Sequence, residues 1–310
     1  MNSDSTGNPS LALIAGPTAS GKSALALELA EKTGGVVINA DSAQVYRDLR
    51  IVSARPTPED EARAPHRLYG YRDGEDICSA ADWAADARAE IESAYRTGRL
   101  PILCGGTGLY IRTLIEGIAP VPEIDPAVRK AVRRMSADEA HAALVGEDRE
   151  AAARLKPGDT TRTQRALEVV RSTGRTLKAW QAEKIGGIGD TVALRPLILL
   201  PPRAWLHERC DQRFEKIFSD EGFEEVNSLL ERRFPALAPV MRAIGVPEIA
   251  AFLQGALTRD QALASGKIAT RQYAKRQYTW FRRQPPADWP RYEAPLDRDS
   301  LPAALALLGA

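Results

Sequence analysis

Short apolar runs alternate with longer segments of helical periodicity in the first part of the chain. Residues 11–15, 35–40 and 100–104 have the length and the continuous apolar character of buried strands. Between them, residues 22–32 and 80–97 are rich in alanine and are predicted to be helices. Strands that alternate with helices are joined by right-handed crossovers. We therefore expect an α/β fold with a parallel sheet that is covered on both faces.

The pattern changes after Pro120. Residues 121–190 show almost no strand signal, and their predicted helical segments are 126–135, 137–144, 149–155 and 163–171. An apolar strand follows at 194–200, and the rest of the chain is helical again. A helical block that is flanked by Pro and Gly and bracketed by strands is typical of an insertion. We expect a core built from residues 1–120 and 191–310, with an all-helical insertion domain at 121–190.

Composition narrows the class of protein. Hydrophobic residues make up 44% and charged residues 27% of the 310 residues, which is typical of a globular chain with a substantial core. The net charge is +1, so any surface that binds nucleic acid has to be local. No apolar stretch approaches the roughly 18–20 residues of a membrane helix, and residues 1–10 lack a signal pattern. The 3 cysteines and 3 histidines have no disulfide or zinc-ligand spacing. We expect a cytoplasmic protein with no membrane partner.

The segment after the first strand satisfies the pattern GxxxxGK[ST] between a strand and a helix, the context that this motif requires. Its residues are Gly16, Pro17, Thr18, Ala19, Ser20, Gly21, Lys22 and Ser23. Backbone N–H groups of such a loop form a concave anion site at a helix N-terminus. Lys22 would contact the terminal phosphates, and the Ser23 hydroxyl would bind Mg²⁺. The alternative is a plain glycine-rich turn. With both flanks in place, the sequence predicts a P-loop NTPase-like core that binds a polyphosphate or a diphosphate.

A polar cluster, residues 41–46, follows the second predicted strand and begins with Asp41. Kinases and NTPases usually place a Mg²⁺-binding aspartate at the end of a second apolar strand. A carboxylate beside the phosphates could equally act as a general base. An aspartate in this position could also be the N-cap of the following helix. The residues alone leave these three roles open.

A basic and aromatic segment lies near the end of the chain. Residues 261–287 contain no Asp or Glu, and Arg271, Lys275, Tyr278 and Arg282 share one face of the predicted helix. Basic groups neutralise phosphates and aromatic rings stack on unpaired bases, which is the combination expected of an RNA-binding element. The alternative is a solvated basic face whose aromatic residues pack in the core.

Taken in order, these segments resemble the tRNA dimethylallyltransferase (tRNA isopentenyltransferase) family in its bacterial form. The resemblance spans nearly the whole chain. It is carried by the phosphate loop, residues 41–46, Ala64-Pro-His-Arg-Leu68, Gly105-Gly-Thr-Gly-Leu-Tyr110, Arg165-Ala-Leu-Glu168 and residues 269–282. Members of this family use Mg²⁺ and transfer a dimethylallyl group from dimethylallyl diphosphate to tRNA. The acceptor is N6 of the adenosine on the 3′ side of the anticodon.

The resemblance implies roles for the matching residues. Lys22, and Mg²⁺ held by Ser23, would stabilise the diphosphate leaving group. Asp41 would accept the proton from N6, and Thr107 would hydrogen-bond to the diphosphate or to the reacting base. Asp41, Thr107 and Lys22 are thus the expected catalytic residues. The target adenine would have to leave the anticodon stack to reach them.

The resemblance also implies a tRNA-binding surface, with no obligate protein partner. The residues expected on it are Asp41, Ser42, Ala43, Gln44, Thr107, Arg129, Thr161, Arg162, Thr163, Gln164, Arg165, Arg242, Gly245, Val246, Lys275, Arg276, Gln277, Trp280 and Arg282. Two segments depart from the family pattern. Val52-Ser-Ala-Arg-Pro56 stands where many relatives have Gly-Thr-Ala-Lys-Pro, and Gly245-Val246 stands where Gly-Tyr is usual.

Three other functions share parts of this pattern. A small-molecule or nucleoside kinase would use the same loop with ATP as the donor, but no kinase lid with paired arginines stands out. An adenylate isopentenyltransferase would prenylate a free nucleotide, which needs neither the basic helix nor the helical insertion. An RNA-binding protein with an inactive phosphate loop would not require an intact set of Lys22, Ser23 and Asp41.

Overall fold

A parallel β-sheet forms the centre of the larger part of the molecule. The computed structural model describes residues 7–156 and 158–310, so most of the polar N-terminal segment lies outside the described residues. The strands are β1 (Ser10–Ala15), β2 (Val36–Asn39), β3 (His66–Arg67), β4 (Pro101–Gly105), β5 (Ala193–Leu199) and β6 (Arg291–Tyr292). Their order is β3-β2-β4-β1-β5-β6, and every neighbouring pair is parallel. The predicted parallel sheet is confirmed.

Helices make up most of the remaining chain. Before the centre of the chain they are α1 (Lys22–Thr33), α2 (Pro58–Arg63), α3 (Ala80–Arg96) and α4 (Gly108–Glu116). The next group is α5 (Pro126–Arg133), α6 (Ala137–Glu147), α7 (Arg149–Arg154), α8 (Thr160–Thr173) and α9 (Leu177–Gln181). The last group is α10 (Arg203–Ile217), α11 (Asp220–Glu231), α12 (Val246–Leu253), α13 (Arg259–Arg283) and α14 (Leu301–Ala306). In the part of the chain that the structure describes, no helix is both long and apolar enough to cross a bilayer.

The chain divides into two compact units. One contains the described residues up to Leu114 together with Gly189–Ala310, and the other is Ile115–Ile188. The sequence analysis placed the helical insertion at 121–190. In the structure, the smaller unit starts at Ile115, six residues before the predicted start, and ends at Ile188, two residues before the predicted end.

The core of the larger unit lies around the central strands. All six residues of β1 are buried, because this strand has neighbours on both edges and helices on both faces. Leu25 and Leu29 of α1 pack in the same cluster as Ile14 and Ile102. Burying each such side chain contributes about 1.5–3 kcal/mol. The β1–α1 connection, which carries the phosphate loop, is therefore held by a rigid strand on one side and a buried helix on the other.

The smaller unit has an apolar core of its own. Val132, Leu144 and Leu167 are fully buried there, on α5, α6 and α8. Within it, the buried carboxylate of Glu168 accepts a hydrogen bond from Arg133 Nε at 2.6 Å. Helix α8 begins three residues before its predicted start, because the side chain of Asp159 accepts from Arg162 N and caps the earlier turn.

Candidate active site

The carboxyl ends of three neighbouring strands converge on one site. Strand order places β2, β4 and β1 side by side, so the phosphate loop, Asp41 and the segment after Gly105 meet at the same edge of the sheet. Thr107 N donates to Ala40 O at 3.0 Å across this edge. A Cβ on Gly106 would lie 2.3 Å from Gln277 Nε2 and 3.3 Å from Asp41 Oδ2. The close packing around this glycine keeps the strand ends in contact.

The phosphate loop is compact and almost entirely buried. Lys22 is 9% exposed, and its ammonium donates to Pro17 O at 3.2 Å. Burial lowers the pKa of Lys22 by removing its hydration, and the charge of Asp41 partly opposes that shift. The buried Ser20 hydroxyl has no hydrogen-bond partner within the described residues, whereas Ser23 is exposed at the start of α1. The loop thus offers a lysine and hydroxyl groups around a site for an anion.

Asp41 is held by its own backbone and by Asn39. Asn39 is fully buried, and its Oδ1 accepts from Asp41 N at 2.8 Å while its Nδ2 donates to Asp41 O at 3.0 Å. Asp41 Oδ1 accepts from Ala43 N at 3.1 Å, and the next residues form turns. The alternative that Asp41 caps a following helix is therefore wrong. The carboxylate is 9% exposed and fixed in direction, as a general base requires.

Thr107 lies beside the Asp41 turn. Its Oγ1 accepts from Ser42 N at 2.9 Å and donates to Ser42 Oγ at 3.2 Å. The Tyr273 hydroxyl also interacts with Thr107, and burial raises the pKa of Tyr273 well above its ordinary value. Tyr273 is therefore a neutral hydrogen-bonding group at neutral pH. Among the predicted catalytic residues, Thr107 thus bonds to both chain neighbours of Asp41, Ala40 and Ser42.

Two cavities adjoin the site: one reaches Asp41 and the other reaches Lys22. The first, which we name the acceptor cavity after the acceptor that the resemblance implies, has a volume of about 400 Å³ and is lined by Asp41, Ser42, Ala43, Arg242 and Arg276 among others. The second, named the donor cavity after the expected diphosphate donor, measures about 480 Å³ and is lined by Lys22 and Ser23. Its other basic lining residues are Arg50, Arg55, Arg209, Arg213 and Lys216, and the described lining residues include no Asp or Glu. Arg213 and Ile217 line both cavities.

Arg213 is a site residue that sequence reasoning missed. It extends from α10, and its Nη2 donates to Ser53 O at 2.8 Å. Burial lowers the pKa of Arg213, and the charge of Asp41 opposes that shift. A guanidinium between the two cavities can contact an anion on one side while it faces Asp41 on the other. No motif marks it, because it lies in the middle of an ordinary amphipathic helix.

Gln277 clamps two loops of the site. This residue was predicted to contact RNA, but it is 6% exposed and its amide bonds to backbone at both ends. Its Oε1 accepts from Thr18 N at 2.7 Å, and its Nε2 donates to Gly106 O at 2.9 Å. Gln277 thus joins the phosphate loop to the end of β4. The geometry gives it a structural role in the site.

The other predicted RNA-contacting residues fall into two groups. Those with exposed side chains are Arg129, Thr161, Arg162, Arg242, Lys275, Arg276 and Arg282. Those that are buried or partly buried are Gln44, Thr163, Gln164, Arg165, Gly245, Val246 and Trp280. The Gln44 amide donates to Ser53 O and Ala54 O at 3.0 and 2.8 Å. Thr163 and Gln164 are buried within the smaller unit, so their side chains do not belong to an exposed RNA-binding face.

Helix α13 is basic, but part of its charge is neutralised. Arg271 Nη1 contacts both carboxylate oxygens of Asp211 on α10, at 2.7 and 2.6 Å. Lys267 forms an ion pair with Glu215, which also lies on α10. Arg271 lies on the predicted basic face, but its charge is therefore paired with an acidic residue of α10. Lys275, Arg276 and Arg282 remain exposed along α13.

The Gln277 clamp leads to a first prediction. Gln277→Ala leaves Thr18 N and Gly106 O without their partner, so the phosphate loop should lose order and bind anions more weakly. We expect the Kd for inorganic diphosphate with Mg²⁺ to rise about tenfold, measured by titration calorimetry. The exposed Gln272→Ala on the same helix is the control and should leave Kd unchanged. An unchanged Kd in Gln277→Ala would contradict the clamp.

The residues present fit a Mg²⁺ ion that is shared with a phosphate ligand. Within the described residues there is no group of three or more His, Cys, Asp or Glu side chains that could hold a metal by themselves. Mg²⁺ usually keeps several waters and binds through few protein groups together with substrate phosphates, and in phosphate loops a Ser or Thr hydroxyl is one of those groups. Ser23 lines the same cavity as Lys22, and its hydroxyl would be the protein ligand to such an ion.

The fold and the site define a class of protein. A phosphate loop after the central strand, with a buried carboxylate at the neighbouring strand ends, is the arrangement of a P-loop α/β protein that acts on a phosphorylated ligand. A family model described as IPP transferase matches residues 44–284. The chain belongs to the IPP transferase family.

Individual relatives agree with this assignment. The chain is 60% identical over 290 residues to the tRNA dimethylallyltransferase of Sphingopyxis alaskensis, covering 93% of this chain and 95% of that protein. It is similar in structure to the tRNA isopentenylpyrophosphate transferase of Bacillus halodurans, with a TM-score of 0.69, 30% identity and 97% of each chain covered. A eukaryotic dimethylallyltransferase acting on tRNA matches with a TM-score of 0.77 and 27% identity, covering 88% of this chain and 69% of that one.

Proposed function

We propose that the chain is a prenyltransferase that modifies tRNA. It transfers a dimethylallyl group from dimethylallyl diphosphate to N6 of the adenosine on the 3′ side of the anticodon and releases diphosphate. The observation that carries this proposal is the pair of cavities that share Arg213: one is lined with cations, and the other contains the Asp41 carboxylate. The similarity to named tRNA dimethylallyltransferases supports the same substrates.

The donor cavity is suited to a diphosphate leaving group. When the bond from C1 of the dimethylallyl group to oxygen breaks, negative charge accumulates on the diphosphate. Lys22 and Arg213 provide positive charge where that charge develops, in a buried site that strengthens the interaction. Mg²⁺ held through Ser23 would add to this stabilisation.

The acceptor cavity is suited to an adenine ring. The lone pair of N6 is delocalised into the ring, so N6 becomes an effective nucleophile only as it loses a proton. Asp41 would accept that proton while the bond between N6 and C1 forms and the bond between C1 and the diphosphate oxygen breaks. Thr107 would hold the base or the diphosphate through its hydroxyl, next to the neutral Tyr273.

Asp41 is too deep to reach a base that remains stacked in an anticodon loop. Asp41 lines the acceptor cavity and is only 9% exposed, so the adenosine would have to be flipped out of the stack to meet it. Arg242 and Arg276 line the same cavity and would bind the phosphates on either side of the flipped nucleotide. As the resemblance implies, the exposed Arg129 and Arg162 of the smaller unit would also contact RNA. The protein would act in the cytoplasm.

Helix α13 provides a matched test of RNA binding. Lys275 is exposed, whereas Lys267 on the same helix is paired with Glu215. We expect Lys275→Ala to weaken tRNA binding and to lower the slope of log K against log salt by about 1. Lys267→Ala should leave that slope unchanged. Equal changes in both variants, measured by filter binding across a salt series, would contradict a specific role for Lys275.

The product identifies the reaction. Unmodified tRNA incubated with the protein, dimethylallyl diphosphate and Mg²⁺ should yield N6-dimethylallyladenosine after digestion to nucleosides. Mass spectrometry of fragments should place it directly 3′ of the anticodon. Prenylation at a different nucleotide would refute the proposed acceptor.

A further inference from the structure

Residues 50–55, which we call the wall segment, separate the two cavities. Val52 and Ser53 face the acceptor cavity, whereas Arg50, Ile51, Ala54 and Arg55 face the donor cavity. The segment forms consecutive turns instead of a helix or strand. Its position is therefore not fixed by a regular hydrogen-bond ladder and depends on side chains from elsewhere.

We propose that Glu225 is a positioning residue that fixes the wall segment and thereby sets the affinity for the allylic diphosphate donor. This inference rests on the proposed function. Glu225 lies on α11, far along the chain from the wall. Its Oε2 accepts from Arg50 N at 2.9 Å and from Ile51 N at 2.5 Å, and its Oε1 accepts from Val52 N at 3.1 Å. A single carboxylate thus binds three consecutive backbone N–H groups.

Two backbone carbonyl groups of the wall segment accept hydrogen bonds from residues of the site. The Gln44 amide donates to Ser53 O and Ala54 O, and Arg213 Nη2 donates to Ser53 O at 2.8 Å. Ala54 adopts a left-handed backbone with φ of 49°, a conformation that costs energy for a residue with a Cβ. Glu225 on one side and Gln44 with Arg213 on the other hold this strained turn in place.

The electrostatic setting fits a role in positioning. Glu225 is partly buried, and burial raises its pKa while the backbone N–H groups oppose that shift. Hydrogen bonds to an ionised acceptor are about twice as strong as neutral ones. Glu225 lines neither cavity among the described residues, so it acts on the ligands only through the wall.

Loosening the wall has a direct consequence for the donor cavity. Arg55 of the wall lines the donor cavity while its Nη1 donates to Tyr46 O at 3.2 Å, and Arg213 uses Ser53 O as an anchor. Both guanidinium groups would lose their fixed positions if the wall moved. The exposed tRNA-facing residues of α13 are not bonded to Glu225, so RNA binding should be unaffected.

The test compares Glu225→Gln with its exposed neighbour Glu224→Gln. Glu225→Gln removes the charge and one acceptor oxygen but keeps the shape of the side chain. We expect it to raise the KM for dimethylallyl diphosphate and the Kd for inorganic diphosphate with Mg²⁺ about tenfold, with a smaller fall in kcat. The Kd for tRNA should be unchanged, and Glu224→Gln should behave like the wild type.

Glu225→Ala, which lacks both acceptors, should raise the same constants further if it folds. A lower melting temperature of Glu225→Gln with an unchanged KM and diphosphate Kd would show a merely structural role and overturn the proposal. So would a loss of tRNA affinity equal to the loss of donor affinity. Diphosphate binding separates this proposal from the proposed function, because wild-type protein that binds diphosphate but prenylates no tRNA would refute only the function.

Discussion

Asp41→Ala is expected to lower kcat for prenyl transfer by about 10²–10⁴-fold, the range typical of a lost general base. The reason is that N6 of adenine loses its proton acceptor in a buried site where water does not replace the carboxylate in a fixed position. The Kd for tRNA should change less than about twofold, because phosphate contacts on the exposed basic residues dominate RNA affinity. Single-turnover kinetics with labelled donor measure the first quantity, and filter binding measures the second.

Two variants sharpen the Asp41 result. Asp41→Asn keeps the size of the side chain and can still accept from Ala43 N, so a loss as large as that in Asp41→Ala assigns the effect to the missing base. Asp288→Ala removes an exposed carboxylate and should retain full activity. Equal losses of kcat and tRNA affinity in Asp41→Ala would show that the residue organises the site without taking the proton.

Lys22→Ala should produce the second large effect, on the donor side. The variant removes the buried cation of the phosphate loop, and the charge on the diphosphate grows during the reaction. Loss of one such electrostatic group typically costs about 10²–10³-fold. We therefore expect kcat/KM for dimethylallyl diphosphate to fall by that amount, with contributions from both kcat and KM.

Lys216→Ala is the matched control for Lys22. Lys216 also lines the donor cavity, but its side chain is exposed and water screens its charge. Its loss should cost less than about tenfold. Comparable losses in the two variants would mean that the general positive potential of the cavity, rather than the phosphate-loop lysine, stabilises the leaving group.

Features encoded in short contiguous segments could be predicted from the sequence. The phosphate loop and strands β1, β2, β4 and β5 follow from apolar runs and one motif, and the structure confirms them. Asp41 was singled out because it directly follows a buried strand. The edge strands β3 and β6 were missed, since two residues of pairing leave no periodicity to detect.

Long-range contacts could not be predicted. Arg213 and Glu225 lie on ordinary amphipathic helices, and only the packing of α10 and α11 brings them to the wall segment. The same limit explains Gln277, which the resemblance placed on the tRNA-binding surface, while its amide is buried between two loops. The ion pair between Arg271 and Asp211 could not be predicted either, because the two residues are 60 positions apart.

The most direct test offers dimethylallyl diphosphate, labelled in the dimethylallyl group, with Mg²⁺ to unmodified tRNA and to AMP in parallel reactions. The account predicts label on tRNA alone, since the basic residues of α13 serve an RNA acceptor. Label on AMP alone would show that those residues do not select the acceptor. The absence of label from both acceptors, together with consumption of ATP in a parallel assay, would contradict the account and identify the donor cavity as a nucleotide site of a kinase.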